Sequence, residues 1–117
     1  MVDDEESNID IIVEAIGDEY SISVALDGNG ALEYLQSVLP DLILLDVVMP
    51  GMDGFEVYTR LQADERTRSI PVVFLSAQAN AQSREKARRL GAVDFVPKPI
   101  DPDHLKEAVK RALSTAD

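Results

Sequence analysis

Two hydrophobic periods alternate along the chain. The stretches DLILLD (41–46) and IPVVFLSA (70–77) are continuous apolar runs bounded by proline or acidic residues, the pattern of strands covered on both faces. YSISVAL (20–26) mixes polar and apolar positions and reads as a strand nearer an edge. A last short strand, DFV (94–96), precedes PKP. Between these runs the period lengthens. Ile9, Ile12, Val13 and Ile16 fall on one helical face, with Ser7 or Asn8 as N-cap and Gly17 as the stop. Leu32, Leu35 and Leu39 form a second stripe, entered from DGNG, and Phe55, Tyr58 and Leu61 a third. A more polar fourth helix runs from about Gln82 to Leu90 and closes at Gly91. The fifth starts at Asp101 as N-cap with Pro102 in the first helical position, and Leu105, Ala108, Val109 and Ala112 line its inner face.

Strand then helix, repeated to the end, predicts a parallel sheet with helices on both faces, because right-handed crossovers place them there. The fold class is α/β, a small doubly wound domain spanning 1–117 as a single unit. The first strand is expected to be cut short: only Met1 and Val2 precede the acidic run DDEE.

Charge and composition remove several function classes. Hydrophobic residues at 45% and charged residues at 28% match an ordinary folded domain. With 22 acidic against 11 basic residues the net charge is −11, which argues against nucleic acid or an anionic membrane as direct partner and permits cations. There is no cysteine, so disulfides and thiolate metal sites are excluded. The apolar runs are too short to cross a bilayer, and the N-terminus has no signal-peptide pattern; a cytoplasmic location is expected.

Ligands of open α/β sheets bind outside the carboxyl ends of the strands. Those positions hold Asp3 and Asp4 after the first strand, Asp46 at the end of 41–46, Ser76 and Ala77 at the end of 70–77, and Lys98 after DFV. Three carboxylates gathered at one edge repel each other, and a hard cation relieves the repulsion. Mg²⁺ prefers one or two carboxylates with phosphate oxygens and water. Asp46 ends the most hydrophobic strand and is followed by the MPGMDG loop, which makes it the best held nucleophile for an acyl phosphate. Phosphoryl transfer needs mainly positioning and charge neutralisation. Lys98 on one phosphoryl oxygen, and the Ser76 hydroxyl with the Ala77 N–H on another, supply both, and the small Ala77 side chain leaves room.

The ordered set VDDEES, PDLILLDVVMPGMDGFE, PVVFLSA and GAVDFVPKPID resembles the receiver domain of a two-component response regulator over nearly the whole chain. The resemblance implies a flavodoxin-like five-stranded sheet of order 2-1-3-4-5 with five helices. It implies Asp46 as phosphoacceptor, with Mg²⁺ held by Asp4 and Asp46, by Asp3 through water or hydrogen bonds, and by the Val48 carbonyl. It also implies a Lys98 that pairs with the phosphoryl group and a cis bond to Pro99. The expected phosphodonor is a histidine kinase or phosphotransfer protein. The expected output is a change in affinity of the surface made by the fourth helix, fifth strand and fifth helix for a downstream domain or protein, or for a second copy as a dimer. In the implied switch the Ser76 hydroxyl swings toward the phosphoryl oxygens and Phe95 turns inward from a more exposed rotamer. Catalysis would be limited to the domain's own phosphorylation and dephosphorylation.

Each assignment has a plainer rival. Asp3 to Glu6 read alone are a solvated acidic terminus, and the company of Asp46 reverses that. Ser76 could satisfy local backbone groups, Phe95 could be plain packing, and Arg84, Lys86, Arg88 and Arg89 a solvated basic face rather than a docking surface. His104, in the first turn of the last helix, is assigned no phosphotransfer role. Val48 and Gln78, which flank the expected phosphoryl position, set its lifetime in a direction the residues leave open. Two whole-chain alternatives compete with the switch: a haloacid-dehalogenase-type phosphohydrolase, whose aspartates follow the first strand as D-x-D, and a degenerate receiver acting as a docking module.

Overall fold

A computed structural model of the chain describes residues 1–2, 6–20, 23, 25–47, 51–76 and 81–115. Three strands form its parallel sheet: β1 (Ile43–Asp46), β2 (Val72–Ser76) and β3 (Asp94–Pro97), in the order β1-β2-β3. Leu45 pairs with Phe74 and Phe74 with Phe95, one register running through the centre. Val2 extends the sheet past β1 through one parallel bridge to Leu45 and another to Ala25. The sequence of neighbours is therefore Ala25, Val2, β1, β2, β3, which is the expected order 2-1-3-4-5. Among the described residues the first two positions are held by isolated bridges, in keeping with the expected short first strand. Only two residues precede Asp3, and one residue makes one bridge to each side.

The helices are α1 (Glu6–Ile16), α2 (Gly28–Tyr34), α3 (Gly54–Ala63), α4 (Ala81–Leu90) and α5 (Pro102–Thr115). Strand residues alternate between two cores. Leu45, Val72, Phe74 and Phe95 face Ala31 of α2, Val57 and Leu61 of α3 and Ala87 of α4. Leu44, Val73, Leu75 and Val96 face Ile12 and Ile16 of α1 and Leu105, Ala108, Val109 and Ala112 of α5. Both sheet faces are covered, which is why these strands carry apolar residues at every position instead of every second one.

Helix ends are set by local chemistry. Asp27 caps α2 by accepting from the Gly30 N–H at 2.7 Å, and Asp53 caps α3 by accepting from the Glu56 N–H at 2.8 Å. Asp101 opens α5 as expected, its carboxylate accepting from the Asp103 N–H. Three expected details differ. Ser7 and Asn8 lie inside α1, which starts at Glu6. Val13 is 45% exposed while Ile12 and Ile16 are buried, because the buried stripe runs along the Ile12 and Ile16 edge and leaves Val13 on the flank. Leu39 is 52% exposed, since α2 ends at Tyr34 with Leu35 as C-cap. The carbonyls there are taken by Arg66, whose guanidinium donates to Leu35 and Gln36. Gly91, φ +100°, closes α4, and a left-handed residue there calls for glycine.

Candidate functional site

The carboxyl ends of the three strands meet at one edge. Asp46 is the last residue of β1 and pairs with Leu75; Ser76 is the last of β2 and pairs with Pro97. The Asp46 N–H donates to Val2 O at 2.9 Å, and the Lys98 N–H donates to Ser76 O at 2.9 Å. The backbone thus fixes Val2, Asp46, Ser76 and Lys98 side by side. Asp46 and Ser76 are buried at 1% and 0% exposure. Lys98 Nζ lies 3.0 Å from Asp46 Oδ2 in an ion pair whose side chains are 8% and 2% exposed. An ion pair this deep gains little net stability, because desolvation offsets attraction. A carboxylate, a hydroxyl and an ammonium brought together under that cost are a candidate for chemistry.

The loop after Asp46 is closed by glycine. The Gly54 N–H donates to Val47 O at 2.8 Å, and a Cβ at Gly54 would sit 2.3 Å from the Asp46 carbonyl oxygen. The start of α3 therefore presses on the backbone of Asp46, and only glycine permits that approach. Sequence reading missed both this glycine and the Asp53 cap, although D-x-x-E ahead of an apolar stripe signals the cap.

Phe95 is buried at 7% exposure within the core under α3 and α4. The exposed starting rotamer implied by the resemblance is therefore not the one this structure holds: the ring is already inward. The Arg84 guanidinium stands over it, 5.4 Å from the ring centroid, and Lys86 stands over Phe55 at 4.5 Å. Helical periodicity does not reveal these contacts. The basic face of α4 is partly offset by Glu85, which binds Arg88 at 2.8 Å and Arg89 at 3.4 Å; the Arg88 hydrogen bond and charge hold the Glu85 carboxyl below its ordinary range. The Lys98 to Pro99 bond is cis, as the resemblance implies. Asp3, Asp4, Val48 and Ala77, and with them most of the expected cation site, lie outside the described residues.

The sequence profile of the response regulator receiver domain matches residues 1–110. Response regulator PleD of Caulobacter vibrioides is 46% identical over 102 residues, covering 86% of this chain and 22% of PleD. The DNA-binding dual master transcriptional regulator RpaA of Synechocystis sp. is 34% identical over 120 residues, covering 100% of this chain and 49% of RpaA. The chain thus spans about a fifth to a half of the length of these relatives. Among solved structures, a putative response regulator from Chloroflexus aurantiacus superposes with a TM-score of 0.91 at 30% identity, covering 97% of this chain and 93% of that one. Nothing among these matches favours a haloacid-dehalogenase-type phosphohydrolase. Among the described residues no helix is long and apolar enough to cross a membrane. With the doubly wound sheet and the buried Asp46, Ser76 and Lys98 at its carboxyl edge, the match over residues 1–110 places this chain in the family of response regulator receiver domains, phosphorylation-dependent signalling switches.

Proposed function

We propose that Asp46 is the residue that accepts the phosphoryl group, from a histidine kinase or phosphotransfer protein. The observation that carries this reading is the buried Asp46 and Lys98 pair at 3.0 Å, at the end of the central apolar strand and one strand away from the Ser76 hydroxyl. An Asp46 carboxylate oxygen forms the new bond to phosphorus while the bond from phosphorus to the donor breaks and the donor leaves with that electron pair. Lys98, already at the carboxylate, moves its charge onto a phosphoryl oxygen. Ser76 Oγ and the Ala77 N–H take another.

Mg²⁺ fits the oxygen chemistry present. Asp46 is a buried carboxylate at this edge, and Val2, whose carbonyl receives its N–H, is followed in the sequence by Asp3 and Asp4. Asp4 and Asp46, with Asp3 and the Val48 carbonyl, would hold the ion, and when bound it supplies neutralisation of the phosphoryl oxygens. Ser76 and Phe95 form the switch, with Phe95 inward at the outset. The negative net charge supports a protein as the direct partner of this domain, through α4, β3 and α5, whether a downstream output or a second copy. Acetyl phosphate with Mg²⁺ is expected to add one phosphoryl group. Removing the ion with excess EDTA should slow the reaction roughly 10²-fold, the effect of losing about 3 kcal/mol of charge neutralisation. A rate indifferent to EDTA contradicts the metal assignment.

A further inference from the structure

Helix α4 has little apolar footing. Among its described residues only Ala87 is buried, with Leu90 packed at the edge of the core, and burial of a single methyl group holds a helix weakly. Its basic residues divide by position. Arg88 and Arg89 are bound to Glu85. Arg84 and Lys86 lie to either side of Ala87 in the sequence, and each rests on a ring: Arg84 Cζ is 5.4 Å from the centroid of Phe95 on β3, and Lys86 Nζ is 4.5 Å from that of Phe55 on α3. Both distances are within reach of a cation–π attraction.

The backbone of Phe95 is fixed. It pairs with Phe74 in the ladder, and its N–H donates to Asp94 Oδ1 at 2.8 Å, a carboxylate whose other oxygen is 3.7 Å from Arg111. Motion is left to the side chain, which turns between staggered rotamers. The ring is buried while Arg84 is exposed, so the guanidinium covers the ring from the solvent side. Turning outward takes the ring from beneath the guanidinium and forfeits the attraction. At an exposed site that attraction weights the inward state by a factor of about two to five. Against a minor state of roughly 0.1–10%, such a factor sets how often the ring is found outside.

We propose that Arg84 is a positioning residue of the switch: its guanidinium holds the Phe95 ring inward in the unphosphorylated domain, so that phosphorylation finds the ring already in place. This rests on the reading of Ser76 and Phe95 as the switch. The charge at position 84 then sets how far the resting domain stands toward its signalling state.

The test compares three variants with wild type. Arg84→Gln removes the charge and keeps a planar end group, and Arg84→Lys places Nζ the same number of bonds from the backbone as Cζ. Lys86→Gln removes the cation that stands over the other ring. Relaxation dispersion of the Phe95 ring carbons reads the outward population. In the unphosphorylated protein Arg84→Gln is expected to raise the outward-to-inward ratio about two- to fivefold, while Arg84→Lys and Lys86→Gln stay near wild type. Beryllium trifluoride with Mg²⁺, the phosphoryl mimic, should then move the Ser76 resonances in every protein and draw the ring further inward chiefly in Arg84→Gln. An unchanged ratio in Arg84→Gln overturns the proposal. So does the absence of any outward ring in both wild type and Arg84→Gln, since packing alone then holds it. Equal rises in Arg84→Gln and Arg84→Lys, or in Arg84→Gln and Lys86→Gln, also overturn it, because lost shape or a loosened α4 would explain them. A ratio raised by Arg84→Gln alone, with Ser76 indifferent to the mimic in every protein, supports the hold of Arg84 and contradicts only the switch reading.

Discussion

Lys98→Met is expected to destabilise the domain by roughly 3–5 kcal/mol and to slow phosphoryl transfer to Asp46 by about 10²-fold or more. Methionine keeps the length and apolar stem of lysine and removes the charge. Asp46, 2% exposed in its side chain, then keeps a carboxylate whose ammonium partner at 3.0 Å is gone, and leaving one member of a buried pair is far costlier than removing both. The kinetic loss follows from the same atom, since Nζ lies 3.0 Å from the Asp46 carboxylate, beside where negative charge spreads over the phosphoryl oxygens. Urea unfolding with an unchanged m-value isolates the stability effect. The double variant Asp46→Asn with Lys98→Met should recover most of it. A double variant as unstable as the single one contradicts the ion pair as the source of the loss.

Gly54→Ala is expected to destabilise by about 1–3 kcal/mol, although alanine in a helix is ordinarily favoured over glycine by about 1 kcal/mol. The new Cβ would stand 2.3 Å from the Asp46 carbonyl oxygen and 2.8 Å from Val47 Cα. Both are backbone atoms of a strand end already fixed by bonds from Asp46 to Val2 and from Val47 to Leu75. The strand or the helix must shift, and a shift at Asp46 displaces the carboxylate from Lys98 and Ser76. Thermal unfolding together with the amide shifts of Asp46 and Val47 checks this. A more stable Gly54→Ala protein with unmoved Asp46 resonances contradicts the close approach.

Much of the fold is legible because it rests on burial. Ile43–Asp46 and Val72–Ser76 are apolar on both faces and buried throughout, and a strand covered on both sides leaves no other pattern. Asp101 followed by Pro102 marks the start of α5 for reasons internal to that turn. Helix edges are less legible: Val13 and Leu39 have the right residue type and the wrong azimuth or helix length, which neighbouring elements decide. The site is legible at Asp46, Ser76 and Lys98, since topology alone carries strand ends to one edge. The inward Phe95 ring, the Arg84 and Lys86 contacts and the pressure of Gly54 on Asp46 are not, because each depends on where two elements meet.

If Asp46 is the phosphoacceptor, one measurement separates it from every other carboxylate. Intact mass after treatment with acetyl phosphate and Mg²⁺, on wild type and Asp46→Asn side by side, should show a single added phosphoryl group on the wild-type chain and none on the variant. Equal phosphorylation of the two proteins, or a wild-type chain that takes up none, would contradict the assignment of Asp46.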